Sequence, residues 1–281
     1  MFSQWGLEYS PNIYITENGE EKRLFGWHVS AKDESYASFL KQFLPALVDF
    51  FKREGIVENC YFHISDEPSL DHIEAYRYAY DLVKPLLGEV KIIEALSNID
   101  FYETGLVSIP VTATDHIKPF LEKGIENQWA YYCCAEGKEV ANRFLSMPSY
   151  RNRILGLQLY KYGIKGFLQW GFNFYYSQLS LFTINPYLTT SAQKSFPSGD
   201  PFSVYPGKDG ALPSLRAIVF REAIQDISLC RMLENYIGKD EVVKLIEETA
   251  GMEVTFFEYP RYPEFLLDLN EVIKQKIKEF I

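Results

Sequence analysis

Histidine and cysteine are scarce, with four of each in 281 residues. The histidines, His28, His63, His72 and His116, have none of the paired spacing by which a helix offers two ligands to zinc. The cysteines, Cys60, Cys133, Cys134 and Cys230, are too few and too irregularly placed for a disulfide framework or a zinc knuckle. No metal is expected, and most thiols are expected to be buried in strands or helices. Basic residues are outnumbered, 28 Lys and Arg against 38 Asp and Glu, for a net charge of −10. That balance excludes the clustered positive charge on which nucleic-acid binding depends. No apolar run approaches the roughly 20 residues of a membrane span. Met1-Phe2-Ser3-Gln4-Trp5 lacks the basic and apolar regions of a signal peptide, so a soluble chain without an address is expected. No glycine-rich phosphate turn follows any predicted strand, which argues against a dinucleotide fold, and no cofactor is expected.

What the chain does have is apolar and aromatic. Hydrophobic residues make up 47% of it, enough for a sizeable core, and 20 Tyr, 21 Phe and 4 Trp supply 16%. Tyr and Trp pair a flat apolar face with a polar edge, which suits stacking on the C–H face of a sugar. Many of the Phe side chains belong to an ordinary aromatic core.

Periodicity gives an alternating order of strand and helix. Ile13-Tyr14-Ile15 and Arg23-Leu24-Phe25 flank Asn18-Gly19, a hairpin signal. Apolar positions from Phe39 to Phe51 recur at helical spacing between Asp33 and Glu54, with Gly55 just beyond. Five strands follow, at 59–65, 90–96, 108–112, 128–134 and 166–170, with helices predicted at 70–87, 117–123 and 150–162. This pattern predicts a parallel α/β fold of the (β/α)8 TIM-barrel type. Five strands fall short of eight. Trp5 through Ile15 is read as one further strand, so the barrel is expected to be incomplete at its N-terminus, and residues 1–281 alone to be poorly soluble, self-associated or inactive. Residues 1–238 are read as the partial barrel domain and 239–281 as a C-terminal helical extension packed on it. The segment from Gly171 to Asp209 has no clean period, and a loop of that length is expected to be functional.

The segment Tyr61-Phe62-His63-Ile64-Ser65-Asp66-Glu67-Pro68 stands out. It is an apolar strand that ends in two adjacent acids, at the strand end where barrel enzymes keep their catalytic groups. Alternation places Tyr61, His63, Ser65 and Glu67 in one phase and Phe62, Ile64 and Asp66 in the other, so Glu67 is expected to face the mouth. Two carboxyl groups this close in a poorly solvated pocket do not both ionise freely, and one tends to remain an acid while the other is an anion, the equipment of a glycosidase. The plain alternative is that Asp66 caps the helix beginning near Pro68, with Ser69 or Asp71 as other caps.

Further words accompany the acid pair: Trp129-Ala130-Tyr131-Tyr132-Cys133-Cys134, Asn142-Arg143-Phe144, Met147-Pro148-Ser149, Gly166-Phe167-Leu168-Gln169-Trp170-Gly171 and Phe196-Pro197-Ser198-Gly199-Asp200. In this order they resemble the catalytic-domain segment of glycoside hydrolase family 123 and its bacterial relatives, over about residues 5–270. The resemblance implies an exo-acting, retaining β-N-acetylgalactosaminidase-like enzyme in which the substrate's 2-acetamido group is the nucleophile. Carried onto this chain, Glu67 would be the general acid and base, and Asp66 would orient the acetamido group. Substrate assistance removes the need for a second carboxylate about 5 Å across the sugar, so adjacent acids suffice. A carbohydrate is the expected partner, with no nucleic acid and no membrane. Family members normally carry an N-terminal β-sandwich and the first barrel strands ahead of this region, and that segment is the other expected partner.

His63, Asp115, Trp129, Tyr131, Tyr132, Asn142 and Trp170 are the candidates for substrate binding. For His63 the plainer reading is a structural histidine that holds a carboxylate in place. Two other readings stand beside the hexosaminidase: a carbohydrate-binding or scaffold fragment without turnover, and a glycosidase for a different sugar.

Overall fold

The computed structural model describes Phe2 and residues 8–281. Its central element is a parallel sheet of five strands in sequential order: β3 (Tyr61–Phe62), β4 (Lys91–Leu96), β5 (Ile109–Ala113), β6 (Trp129–Tyr132) and β7 (Gly166–Gln169). These are the five strands predicted from the sequence, most of them shortened by one to five residues. Among the described residues the sheet has five strands, not eight. The expected extra strand takes another form. Trp5 to Leu7 lie outside the described residues, and Ile13–Glu17 (β1) pairs antiparallel with Glu20–Phe25 (β2) around Asn18-Gly19. Asn18 and Gly19 both have positive φ, 54° and 85°, as the tight hairpin turn requires.

The chain divides into two compact units, one of residues 1–112 and 127–129, the other of 113–126 and 130–281. In the first, Asp33 starts helix α1 (Glu34–Arg53) by accepting a bond from the Ser35 amide at 2.8 Å. Tyr36, Leu40, Leu44 and Val48, spaced by four, form the buried stripe of α1. Helix α2 (Ile73–Leu87) packs against α1 and buries Tyr76, Ala79, Val83 and Leu87. The Tyr36 ring meets Phe2 and Phe25 edge-on, at 5.7 and 5.2 Å between centroids. Strand β4 is buried from Ile92 to Leu96, as a strand covered on both faces should be. A short helix α3 (Asp100–Glu103) precedes β5.

The second unit contains helices α4 (Lys118–Lys123), α5 (Tyr150–Arg153) and α6 (Leu155–Lys161), a small antiparallel pair β8 (Val204–Pro206) and β9 (Ala211–Pro213), and then α7 (Leu215–Ile237), α8 (Lys239–Ala250) and α9 (Glu264–Lys278). One apolar core joins Leu155, Leu157 and Tyr160 of α6 with Cys230 and Leu233 of α7, Val242 and Ile246 of α8, and Phe265, Leu269 and Ile273 of α9. Arg153 grips Asp226 through two bonds, of 2.6 and 2.8 Å, a fork that matches guanidinium to carboxylate. Between α8 and α9, Val254 and Phe256 enter the core from a loop. The cysteines also differ from expectation. Only Cys230 is buried, Cys60 and Cys133 are half-buried and Cys134 is exposed.

Candidate active site

The acids follow the C-terminal end of β3, but not on a continuing strand. Strand pairing stops at Phe62, and residues 64–67 bend. Glu67 adopts φ +47°, in the left-handed region that side chains other than glycine rarely occupy. The alternation read from Tyr61 to Glu67 is therefore broken: Ile64 and Ser65, expected on opposite faces, are both buried, and Asp66 and Glu67 are both half-buried. The residue at the start of the following helical turn, Leu70–His72, is Ser69, so the N-cap position is not Asp66's.

What holds this bent segment is a side chain that sequence reading passed over. Glu94 of β4 has no exposed surface, and its Oε2 accepts from the amides of Ile64 and Ser65 at 3.1 and 3.0 Å and from the Tyr76 hydroxyl at 2.9 Å. Its Oε1 faces His63 Nδ1 at 3.4 Å. The carboxylate partner expected for His63 is therefore Glu94. On the other side of the segment the Phe2 amide donates to the Ile64 carbonyl at 2.9 Å. The signal for Glu94 was an acid set inside the apolar run Val90 to Leu96, where a lone carboxylate costs free energy unless it is bonded. Trp129 opens β6, and its ring packs on Tyr61, which opens β3, with centroids 5.0 Å apart. Both stand at strand starts, whereas the acids follow a strand's end.

In the second unit the remaining candidates lie in β6 (Tyr131 and Tyr132) or follow β5, β6 and β7 (Asp115, Asn142 and Trp170). Asp115 Oδ1 lies 2.7 Å from His116 Nδ1. Tyr131 and Tyr132 are buried, and Tyr132 packs on Phe167 beneath the Arg143 guanidinium. Burial pushes the Tyr132 hydroxyl up to about 12, and it reaches Asn152 Oδ1 at 3.4 Å. Asn142 is wholly buried and fully engaged: its amide nitrogen donates to the carbonyls of Cys133 and Glu136 at 2.8 and 2.6 Å, and its oxygen accepts from the Arg143 amide at 2.7 Å. It fixes the turn after β6. Trp170 lies between Phe174 and Phe196, with centroid separations of 5.6 and 4.8 Å, and its indole N–H donates to Asp200.

Asp200 and Glu136 were not singled out by sequence reading. Asp200 is fully buried, and burial pushes its carboxyl up to about 6 although Arg143 Nη2 stands 3.7 Å away. Desolvation outweighs the ion pair. Glu136 is raised as well, first by burial, while its bond from the Cys133 amide at 2.6 Å acts the other way. The Glu136 charge raises Asp200, and the Asp115 charge raises Glu136. Among the described residues, no three His, Cys, Asp or Glu side chains are placed to hold a metal ion. No helix among them is long and apolar enough to cross a membrane.

Comparison with known proteins gives three results. No curated protein matches the chain. A family 123 glycoside hydrolase from Clostridium perfringens, studied for glycolipid glycan hydrolysis, has a similar fold, with a TM-score of 0.63 at 17% sequence identity. The match covers 96% of this chain and 49% of the other, so the chain spans about half the length of that protein. The family model of the glycoside hydrolase 123 catalytic domain matches residues 1–233, and on that match the chain belongs to glycoside hydrolase family 123.

Proposed function

We propose that this chain carries the catalytic acids of an exo-acting, retaining β-N-acetylhexosaminidase, and that its five strands are part of a (β/α)8 barrel. Glu67 acts as general acid and base, and Asp66 orients the substrate's 2-acetamido group as that group attacks the anomeric carbon. The observation that carries the reading is the half-buried Asp66-Glu67 pair directly after β3, on a segment held by Glu94. Adjacent acids suit an acid paired with an orienting carboxylate, which leaves the role of nucleophile to the substrate. The first step closes an oxazolinium ring. The acetamido oxygen bonds to the anomeric carbon, the glycosidic bond breaks, and the leaving oxygen takes a proton from Glu67. In the second step Glu67 removes a proton from water, which opens the ring with the original configuration restored.

The experiment is Glu67→Gln, assayed on 2-acetamido-2-deoxy-β-galactosides with good and poor leaving groups. Loss confined largely to the poor leaving group is expected, because an activated aryloxide departs without protonation. Equal losses on both would remove Glu67 from the role of acid. Turnover of galactosides that lack the acetamido group would instead favour a glycosidase for a different sugar. Sugar affinity without turnover of any of these would favour the binding-fragment reading.

A further inference from the structure

Glu94 is placed where a carboxylate is costly and is used more fully than the fold requires. It stands within β4 between Ile93 and Ala95, with no exposed surface. One of its oxygens accepts three bonds, from Ile64 N, Ser65 N and Tyr76 Oη, while the other faces His63. Among the described residues β3 ends at Phe62, and the Ile64 and Ser65 amides donate to this side chain. Two residues beyond Ser65, Glu67 has a left-handed backbone at φ +47°. A non-glycine residue persists there only when its surroundings over-determine it, and two anchored amides just upstream do so.

We propose that Glu94 is a positioning residue of the active site: its carboxylate, holding the Ile64 and Ser65 amides, sets the turn that presents Asp66 and Glu67. It acts through the backbone of residues 64–65, and nothing in its role requires contact with substrate. The inference rests on the reading of Asp66 and Glu67 as the catalytic acids and adds the device that aims them.

The carboxylate is hard to replace. A glutamine has one acceptor oxygen. Turned toward the segment, that oxygen lacks the negative charge that strengthens all three bonds, and turned away, it brings an amino group against the Ile64 and Ser65 N–H groups. An aspartate keeps the charge but is shorter by about 1.5 Å, one carbon–carbon bond. Bonds of 3.0 to 3.1 Å do not survive that retraction without movement of the turn.

The test compares wild type, Glu94→Gln, Glu94→Asp, Tyr76→Phe and Glu67→Gln on the 4-nitrophenyl and methyl 2-acetamido-2-deoxy-β-galactosides, well below each melting temperature. Amide hydrogen exchange at Ile64 and Ser65 is measured in parallel. Both Glu94 variants are expected to lose about 10- to 100-fold in kcat on the methyl glycoside and less than about 5-fold on the nitrophenyl one, with KM within about 3-fold, as for a misaimed acid. Exchange at Ile64 and Ser65 should rise about 10-fold or more relative to the β4 amides. Tyr76→Phe, which leaves both amide anchors in place, should stay within about 3-fold on both substrates. A lower melting temperature with the wild-type ratio of the two kcat values would make Glu94 a folding residue only and overturn the proposal. So would unchanged exchange at Ile64 and Ser65. If Glu67→Gln itself shows no leaving-group preference, the acid assignment fails separately, and exchange alone then decides whether Glu94 sets the turn.

Discussion

The indole N–H of Trp170 is shared between the two carboxylate oxygens of Asp200, at 3.2 Å to Oδ1 and 3.1 Å to Oδ2. Arg143 adds a bond of 2.7 Å to the Asp200 main-chain carbonyl and a charge 3.7 Å from Oδ1. Even with these partners, burial dominates and holds the carboxyl near 6 rather than near 4. Burial thus favours the protonated form of Asp200, and the Trp170 bond favours its charged form.

Replacing Trp170 by Phe keeps the ring contacts with Phe174 and Phe196 but removes the donor. The charged form of Asp200 then loses support, and its titration should move above the present value of about 6. Carboxyl carbon NMR of Asp200 in both proteins reads this directly. A midpoint in Trp170→Phe at or below that of wild type would mean that the indole bond does not favour the carboxylate.

The same displacement fixes the sign of a stability effect. In the unfolded chain Asp200 titrates near 3.8 and in the folded protein near 6, so folding favours the protonated form. The favourable contribution is complete below about pH 3.8 and is lost as pH rises through about 6. Its span is on the order of 3 kcal/mol. Asp200→Asn should therefore gain in stability relative to wild type as pH rises from 4 to 7, with Glu136, Arg143 and Arg216 as the charged groups facing the site in both proteins. Denaturant unfolding at both pH values gives the comparison. A stability difference that stays constant, or moves the other way, would contradict burial as the ruling cause.

Local signals account for what was legible in the sequence. Asn18-Gly19 marks a turn by itself, Asp33 caps the helix it precedes, and the apolar runs of β4, β5 and β6 are buried along almost all their length, so their composition alone identifies them. The acid pair was legible for another reason, as two adjacent charges that follow the largely apolar residues Tyr61 to Ile64. The backbone between Phe62 and Glu67 was not. Alternation assumes that a strand continues, and here the decisive partner is Glu94, 29 and 30 residues away for Ser65 and Ile64. Asp200 was hidden similarly, in a loop without periodicity and 30 residues from Trp170. Buried acids are defined by long-range partners, and in one sequence such an acid shows only as a charge in an apolar context.

Asp66 provides a separate test of the chemistry. If its carboxylate orients the acetamido group and faces the positive charge of the oxazolinium ring, Asp66→Asn should lower turnover of 2-acetamido substrates by on the order of 100-fold or more, since the charge then develops without an anionic partner. A thiazoline analogue of the oxazolinium intermediate should bind the variant more weakly. Inhibition equal to that of wild type would rule out substrate assistance at this position.

Gly156 sets two physical effects against each other within the second unit. In a helix interior, alanine is favoured over glycine by about 1 kcal/mol, so propensity alone predicts that Gly156→Ala stabilises α6. The structure predicts the reverse. A Cβ at position 156 would lie 2.2 Å from the Ala223 carbonyl oxygen and 2.8 Å from its carbon, both backbone atoms of α7. Backbone in a packed helix cannot swing aside as a side chain can, and overpacking of this kind typically costs 1–3 kcal/mol or more. The steric term exceeds the propensity term, so Gly156→Ala should lower the melting temperature by several degrees. Because the clash is with the Ala223 main chain, adding Ala223→Gly should not restore it. Recovery in that double variant would place the contact on the Ala223 side chain, and a single variant more stable than wild type would show that α6 and α7 can separate at little cost.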